Sequence, residues 1–183
     1  SHAFAHILYK ALLFMSMGAV LYRAGTVKAS ELGGLYKSMP YTTIFCLVGA
    51  VSISAFPLFS GFVTKSLTLT ALADEGHTIS WFVLLFASAG VLHHSGIKIP
   101  LYGFFGHNSG IRVKEAPLNM LIAMGLTALM CVGIGVYWQP LYDILPYSVD
   151  YAPYTMGHVI TQFQLLFFAL LAFGFLARRH LET

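Results

Sequence analysis

Three ionisable residues, His2, His6 and Lys10, are spaced four positions apart in the otherwise largely apolar segment SHAFAHILYKALLF. A helix turns once in about 3.6 residues, so this spacing stacks the three side chains on one face. Histidine titrates closer to neutral pH than any other side chain, and its two ring nitrogens let it accept a proton on one side and release it on the other. The pattern predicts a proton relay, although a lone helical histidine is more often a hydrogen-bonded packing residue.

A second lysine, Lys65, follows the segment FPLFSGFVT within another apolar stretch. It comes shortly after Gly61, which places it near the middle of a predicted membrane crossing and too far from either surface to reach water easily. A charge at that depth is costly. Because desolvation disfavours the charged form of a lysine, we expect Lys65 to exchange a proton near neutral pH, as a relay requires.

The segment HHSGIKIP offers three weaker candidates. Lys98 lies roughly two turns from one end of its predicted helix, so its ammonium can extend to the membrane surface. His93 and His94 are deeper, but adjacent residues of a helix point in different directions. We expect at most one of these histidines to face a polar interior and the other to meet a neighbouring helix.

The composition indicates the solvent in which these residues act. Of the 183 residues, 57% are hydrophobic and 9% are charged, which is typical of an integral membrane protein and leaves no room for a sizeable soluble domain. The net charge of +3 predicts no nucleic-acid patch, and the positions of Cys46 and Cys131 predict no metal site. At about 20 apolar residues per crossing, the sequence predicts an all-α, polytopic protein with a single transmembrane domain, 1–183. The five crossings are expected at 2–22, 41–73, 80–105, 118–138 and 157–177.

The second crossing is predicted to be interrupted between Pro57 and Gly61. Proline removes a backbone donor and excludes the preceding helical turn, so the freed polar groups must be satisfied by side chains or water. Broken helices of this kind form ion sites in transporters, whereas a simple proline kink is the alternative. The last crossing, with Gln162 and Gln164 near its outer end, is predicted to be a packing helix.

The interruption also decides the predicted orientation. If 41–73 is one crossing, all the basic joints fall on one side of the membrane. The positive-inside rule places that side in the cytoplasm. We expect the membrane to be the plasma membrane of a prokaryotic cell. Those basic residues are Arg23, Lys28, Lys37, Arg112 and Lys114, with Arg178 and Arg179 in a cytoplasmic C-terminal tail. The acidic Asp74, Glu75, Asp143 and Asp150 fall opposite, where Tyr137, Trp138, Tyr147, Tyr151 and Tyr154 are predicted to form an interfacial aromatic belt.

The apolar runs contain no Asp or Glu. A buried lysine that exchanges protons needs a carboxylate nearby, which another subunit or a missing N-terminal half would have to supply. The chain also starts inside a predicted helix, without a signal-peptide pattern. We therefore expect a split subunit or the C-terminal part of a longer chain, with other membrane subunits as partners.

Two segments, HAFAHILYKALLFMSMGAV and GGLYKSMPYTTIFCLVGAVSISAFPLFSGFVTKSL, resemble the second half of the antiporter-like subunits shared by respiratory complex I and Mrp-type multisubunit cation/proton antiporters. The resemblance implies the second of two inverted five-helix repeats, with 1–105 holding the repeat helices and 106–183 the C-terminal packing helices. It also implies that Lys65 is the broken-helix lysine, Lys10 the lysine of the preceding helix, and His2 and His6 the bridging histidines. The stretch HHSGIKIP replaces the arginine-containing segment of many members and, with GIRVKEAP, favours the branch formed by the D-type subunits of Mrp antiporters.

Four functions are compatible with these sequence features. The leading one is a proton-translocating subunit of a multisubunit antiporter that exchanges protons for sodium or potassium ions. The second is a proton-pumping subunit of a complex I type NADH:quinone oxidoreductase, in which this chain itself would hold no cofactor. A distant third is a haem-binding membrane anchor that uses His2 or His6 together with His93, His94 or His158. The fourth is a structural remnant that only packs between functional neighbours.

Overall fold

A computed structural model describes residues 1–177, which form helices and their connections without a strand. Four of these helices, His2–Ala24, Thr78–Phe105, Leu118–Val136 and Met156–Phe175, are long and apolar enough to cross a membrane, and Pro40–Ile53 is a shorter apolar helix. The chain is therefore an all-helical, multi-pass membrane protein, as the composition predicts. The helices are α1 His2–Ala24, α2 Pro40–Ile53, α3 Ser60–Asp74, α4 Thr78–Phe105, α5 Leu118–Val136, the short α6 Gln139–Asp143, and α7 Met156–Ala172 with a π-helical extension Phe173–Ala177.

The predicted interruption of the second crossing is confirmed, since residues 54–59 separate α2 from α3. Two non-glycine residues at this break, Ala55 and Leu58, adopt left-handed backbone angles with φ of 55° and 73°. Such angles are disfavoured for residues with a side chain, so the surrounding packing must impose them. Gly61 is the second residue of α3, and a Cβ atom at this position would collide with the carbonyl oxygen of Ser52. The break is therefore a shaped feature and not a simple kink.

The largest apolar core joins α1, α2 and α5. Leu12 and Val20 of α1, Cys46 of α2, and Met124 and Cys131 of α5 are fully buried in it. These positions recur at helical spacing within each element, so each helix turns one stripe towards the other two. This packing holds α1 beside the broken helix.

The two basic joints lie together at one end of the bundle. The Nε of Arg23 donates to the carbonyl oxygen of Glu115 at 2.9 Å, and the hydroxyl of Ser109 donates to the carbonyl oxygen of Gly33 at 3.1 Å. Helices α4 and α5 meet at the second of these joints, so their far ends, next to the acidic residues, lie opposite. Arg178 and Arg179, which are predicted to lie on the same basic side, fall outside the described residues.

The aromatic joint at 137–155 departs in part from the predicted belt. Tyr137 and Tyr147 are exposed, but Tyr142 and Tyr154 pack against the broken helix. The hydroxyl of Tyr142 donates to the carbonyl oxygen of Val63 at 2.8 Å. The hydroxyl of Tyr154 accepts from the backbone N–H of Leu58 at 3.1 Å and donates to the carbonyl oxygen of Gly135. The joint thus supplies a partner for the N–H of Leu58, which lies in the break, and adds hydrogen bonds to carbonyl groups of α3 and α5.

Candidate functional site

One cavity collects most of the ionisable residues singled out in the sequence. It has a volume of about 510 Å³ and is lined by His2, His6, Lys10, Lys65 and His94, among other residues. At about 30 Å³ per water molecule, that volume has room for roughly 17 waters. Proton transfer between side chains that do not touch is therefore possible along a chain of water molecules.

The stacked face of α1 is open in this chain. His2, His6 and Lys10 all lie on the α1 side of the cavity and are exposed. Lys10 stands about halfway along the first predicted crossing, 2–22, where the sequence alone suggests a side chain far from water. The physical reason is that α2 and α5 pack on the other side of α1, whereas on this side an open cavity lies between α1 and residues of α3 and α4. Three ionisable groups facing lipid would be costly, so this face needs a polar cover.

The relay face of α1 is connected to the broken helix through His2 and Thr64. The Nδ1 of His2 lies 3.1 Å from the hydroxyl oxygen of Thr64, and that hydroxyl donates its hydrogen to the carbonyl oxygen of Ser60 at 3.0 Å. A hydroxyl has one hydrogen to give, so the Thr64 oxygen must accept from His2 Nδ1–H. This arrangement leaves Nε2 of His2 as the nitrogen that can take up a proton. Sequence reasoning missed Thr64, although it directly precedes Lys65.

Lys65 is half-buried and contacts α7. Its ammonium lies 3.5 Å from the side-chain oxygen of Gln162, whose nitrogen donates to the carbonyl oxygen of Ser54 at 3.3 Å. Ser54 follows the last residue of α2, so Gln162 bridges the break and the lysine beyond it. The prediction that the last crossing only packs was therefore incomplete. The available signal was a polar residue within the apolar run of α7.

The two histidines of α4 diverge, as adjacent helical positions require. His94 lines the cavity, whereas Nε2 of His93 donates to the carbonyl oxygen of Ala169 on α7 at 2.6 Å. Both lie in a π-helical segment, Leu92–Ile97, where the helix is locally widened. Lys98 immediately follows this segment and does not line the cavity.

The described residues bring no carboxylate to the cavity. Within residues 1–177 the ion pairs are Lys28 with Glu31 and His77 with Glu75, both in exposed joints. The lining of the cavity contains lysines, histidines and hydroxyl groups but no Asp or Glu. In the same part of the chain, no three His, Cys, Asp or Glu residues are grouped closely enough to hold a metal ion. The lining offers lysines and histidines, which can bind and release protons, but its described residues supply no negative charge to balance the two lysines.

Comparison with known proteins identifies the family. Residues 1–93, which include α1, the broken helix and the start of the π-helical segment, match the family described as NADH:quinone oxidoreductase/Mrp antiporter, TM. The chain belongs to this family. The matched region holds His2, His6, Lys10, Lys65, Pro57 and Gly61, so the resemblance seen in the sequence is confirmed at the level of the family.

Three relatives share between 28% and 43% of their aligned residues with this chain. NADH-ubiquinone oxidoreductase chain 5 of Phytophthora infestans is 28% identical over 93% of this chain. Hydrogenase-4 component B of Escherichia coli (strain K12) is 31% identical over 74% of it, and NADH-ubiquinone oxidoreductase chain 5 of Artemia franciscana is 43% identical over 37%. The chain spans 28%, 22% and 13% of the lengths of these three relatives, respectively.

Proposed function

We propose that this chain is part of a proton-translocating subunit of a multisubunit membrane complex. In this proposal Lys65, Lys10, His6 and His2 exchange protons through water in the 510 Å³ cavity. The single observation that carries the proposal is that residues from two helices, separated by more than 50 positions along the chain, line one cavity beside a helix break. A structural remnant would have no physical reason to keep several ionisable groups in one membrane cavity.

The proposal gives the ionisable groups different roles. Lys65, beside the break, holds or releases a proton according to the charge near it, and Lys10 does so on α1. His6 and His2 pass protons between them, because an imidazole can accept on one nitrogen and donate from the other. His94 adds a third imidazole to the same cavity, whereas Lys98 and His93 are assigned no direct part.

A partner supplies the missing carboxylate in this proposal. The exposed face of α1 with His2, His6 and Lys10 needs a polar and acidic cover, and the chain spans less than a third of the two relatives aligned over most of its length. The carboxylate comes either from another segment of a longer subunit or from a neighbouring subunit. We further propose that the chain resides in the plasma membrane of a prokaryote, with the basic joints on the cytoplasmic side.

The source of energy has two candidates. Exchange of protons against sodium or potassium ions in an Mrp-type antiporter is the function favoured by HHSGIKIP and the joint that follows it. Coupling to a redox reaction is the second candidate, and it draws support from relatives whose names are those of an NADH-ubiquinone oxidoreductase chain and a hydrogenase component. In both cases this chain contributes proton transfer and holds no redox cofactor of its own.

Two measurements test the proposal. The intact complex, purified through a tag on this chain, is reconstituted in vesicles containing a pH-sensitive dye. We expect Lys65→Ala to reduce proton movement roughly 100-fold, which is the lower end of what a positioned acid-base group contributes. The control Lys37→Ala changes an exposed lysine and should have no effect. Wild-type proton movement with Lys65→Ala would refute the relay.

The absorbance spectrum and the subunit masses of the same complex decide the source of energy. Flavin and iron-sulfur bands would identify a redox-driven complex and reject the antiporter. A colourless assembly of small membrane subunits would support the antiporter. A haem Soret band that is lost in His2→Ala or His6→Ala would instead support the membrane anchor.

A further inference from the structure

Lys65 lines a second cavity as well as the one it shares with α1. This second cavity has a volume of about 310 Å³ and lies between α3, the first part of α4, and α7. It has room for roughly ten water molecules at about 30 Å³ each. His2, His6 and Lys10 line only the larger cavity, so Lys65 is the ionisable residue common to both.

Gln162 holds Lys65 at the boundary between the two cavities. It is 9% exposed, and both ends of its amide are engaged, the nitrogen by the carbonyl oxygen of Ser54 and the oxygen by the ammonium of Lys65. Because the amide is rigid and planar, the bond to Ser54 aims the oxygen at the lysine. An amide does not take up a proton near neutral pH, so Gln162 can position Lys65 but cannot relay its proton.

His158 is the other titratable residue in the lining of the second cavity, one helical turn before Gln162 on α7. Its Nδ1 lies 3.1 Å from the hydroxyl of Tyr151, and the hydroxyl of Thr70 donates to the same Tyr151 oxygen at 3.3 Å. Tyr151 can therefore donate its own hydrogen to Nδ1 of His158. Because Nδ1 accepts this hydrogen bond, the neutral ring of His158 carries its proton on Nε2. These three residues lead from the second cavity to the acidic end of the bundle.

We propose that the second cavity is a separate branch of the proton path, in which His158 exchanges protons and Gln162 positions Lys65. This inference rests on the proposed function. Thr70 takes up one proton from water at the acidic end and gives its own hydrogen to Tyr151, and Tyr151 gives its hydrogen to Nδ1 of His158. The ring of His158 then gives its Nε2 proton to water in the second cavity, and this water protonates Lys65 in its neutral form. Lys65 releases one proton to the larger cavity, so no other reactant is needed.

The test uses the intact complex in dye-loaded vesicles. We expect His158→Gln and Gln162→Leu each to reduce proton movement roughly tenfold or more. The matched controls His77→Gln, in an exposed joint, and Gln164→Leu, on an exposed face of the same helix, should retain wild-type rates. Gln162→Glu keeps the size of the side chain but pairs a carboxylate with Lys65. A carboxylate fixed against the ammonium holds Lys65 in its charged form, so we expect this variant to assemble normally and to lose proton movement.

Lys65→Ala, measured alongside, separates the two proposals. If Lys65→Ala is inactive while His158→Gln and Gln162→Leu both retain wild-type rates, the second branch is wrong and the relay stands. If Lys65→Ala itself keeps wild-type rates, the proposed function fails. Should His158→Gln not assemble, His158→Cys replaces it, since Cys46 and Cys131 are buried and give little background. Labelling by a membrane-impermeant thiol reagent added to the acidic side supports the branch, and an unreactive thiol overturns it.

Discussion

The Nδ1 of His2 lies 3.1 Å from the hydroxyl oxygen of Thr64, so the relay face of α1 is bonded to the residue that precedes Lys65. Two helices that are distant in the sequence are thereby joined beside the helix break. The hydroxyl of Thr64 is committed to the carbonyl oxygen of Ser60, which determines the nitrogen of His2 that carries its proton. The uncharged side chain of Thr64 therefore determines the tautomer of His2.

The first prediction concerns this hydroxyl. We expect Thr64→Val to keep the shape of the side chain and to reduce proton movement in vesicles roughly tenfold, because His2 loses the acceptor that orients its ring. Thr127→Val is the control, since its hydroxyl bonds one turn back along α5 and does not line the cavity. Equal rates for Thr64→Val and Thr127→Val would show that the His2 contact is not used.

The second prediction concerns the close approach at Gly61. A Cβ atom there would collide with the carbonyl oxygen of Ser52, so we expect Gly61→Ala to destabilise the protein by about 1–3 kcal/mol, the usual range for overpacking. Gly133→Ala has open space around the added methyl group and should be neutral or slightly stabilising. Thermal unfolding of the detergent-solubilised complex measures both. An unchanged melting temperature for Gly61→Ala would contradict the geometry of the break.

The third prediction concerns the start of α2. The carboxylate of Glu115 accepts from the backbone N–H of Tyr41 at 2.8 Å and from the hydroxyl of Thr42 at 2.6 Å, which caps the helix from a distant joint. We expect Glu115→Ala to cost roughly 1–2 kcal/mol of stability, as the loss of a charged helix cap does. Glu75→Ala removes a carboxylate whose side chain is 72% exposed and should cost little. Equal unfolding midpoints for the two variants would disprove the cap.

The fourth prediction concerns Tyr154, whose hydroxyl bridges Leu58 and Gly135. Tyr154→Phe should cost roughly 1–3 kcal/mol, because the N–H of Leu58 at the break and the carbonyl oxygen of Gly135 on α5 lose their partner. Exposed Tyr147→Phe should be neutral. Chemical unfolding of the detergent-solubilised protein measures both changes, and a neutral Tyr154→Phe would show that water replaces the bridge.

The same tyrosine makes stability depend on pH. Burial raises the pKa of Tyr154 above its ordinary value of 10, although the N–H of Leu58 acts in the opposite direction. Because the pKa of Tyr154 is raised in the folded state, the contribution of Tyr154 to the free energy of unfolding is complete below pH 10. This contribution declines as the pH rises through the pKa of the folded state. We expect the stability difference between wild type and Tyr154→Phe to shrink in that range. A difference that grows with pH would contradict the burial.

Local sequence patterns determined the elements of this protein. Pro57 cannot continue a helix, so α2 has to end before it, and the four-residue spacing of His2, His6 and Lys10 places them on one face whatever surrounds α1. The apolar runs determined the membrane crossings because a bilayer core accepts only helices of sufficient length. These features depend on neighbours within a few residues, which is why they could be predicted.

Tertiary packing decided which groups meet. Nothing local to α7 indicates that Gln162 reaches Lys65 and Ser54, and nothing local to 106–117 indicates that Glu115 caps α2. His93 and His94 point in different directions because they are adjacent in a helix. That His94 lines the cavity beside α1 and His93 bonds to α7 depends on where those two helices lie. Contacts between helices depend on how whole apolar faces fit together, and a side chain's partner across an interface is therefore not encoded in its own segment.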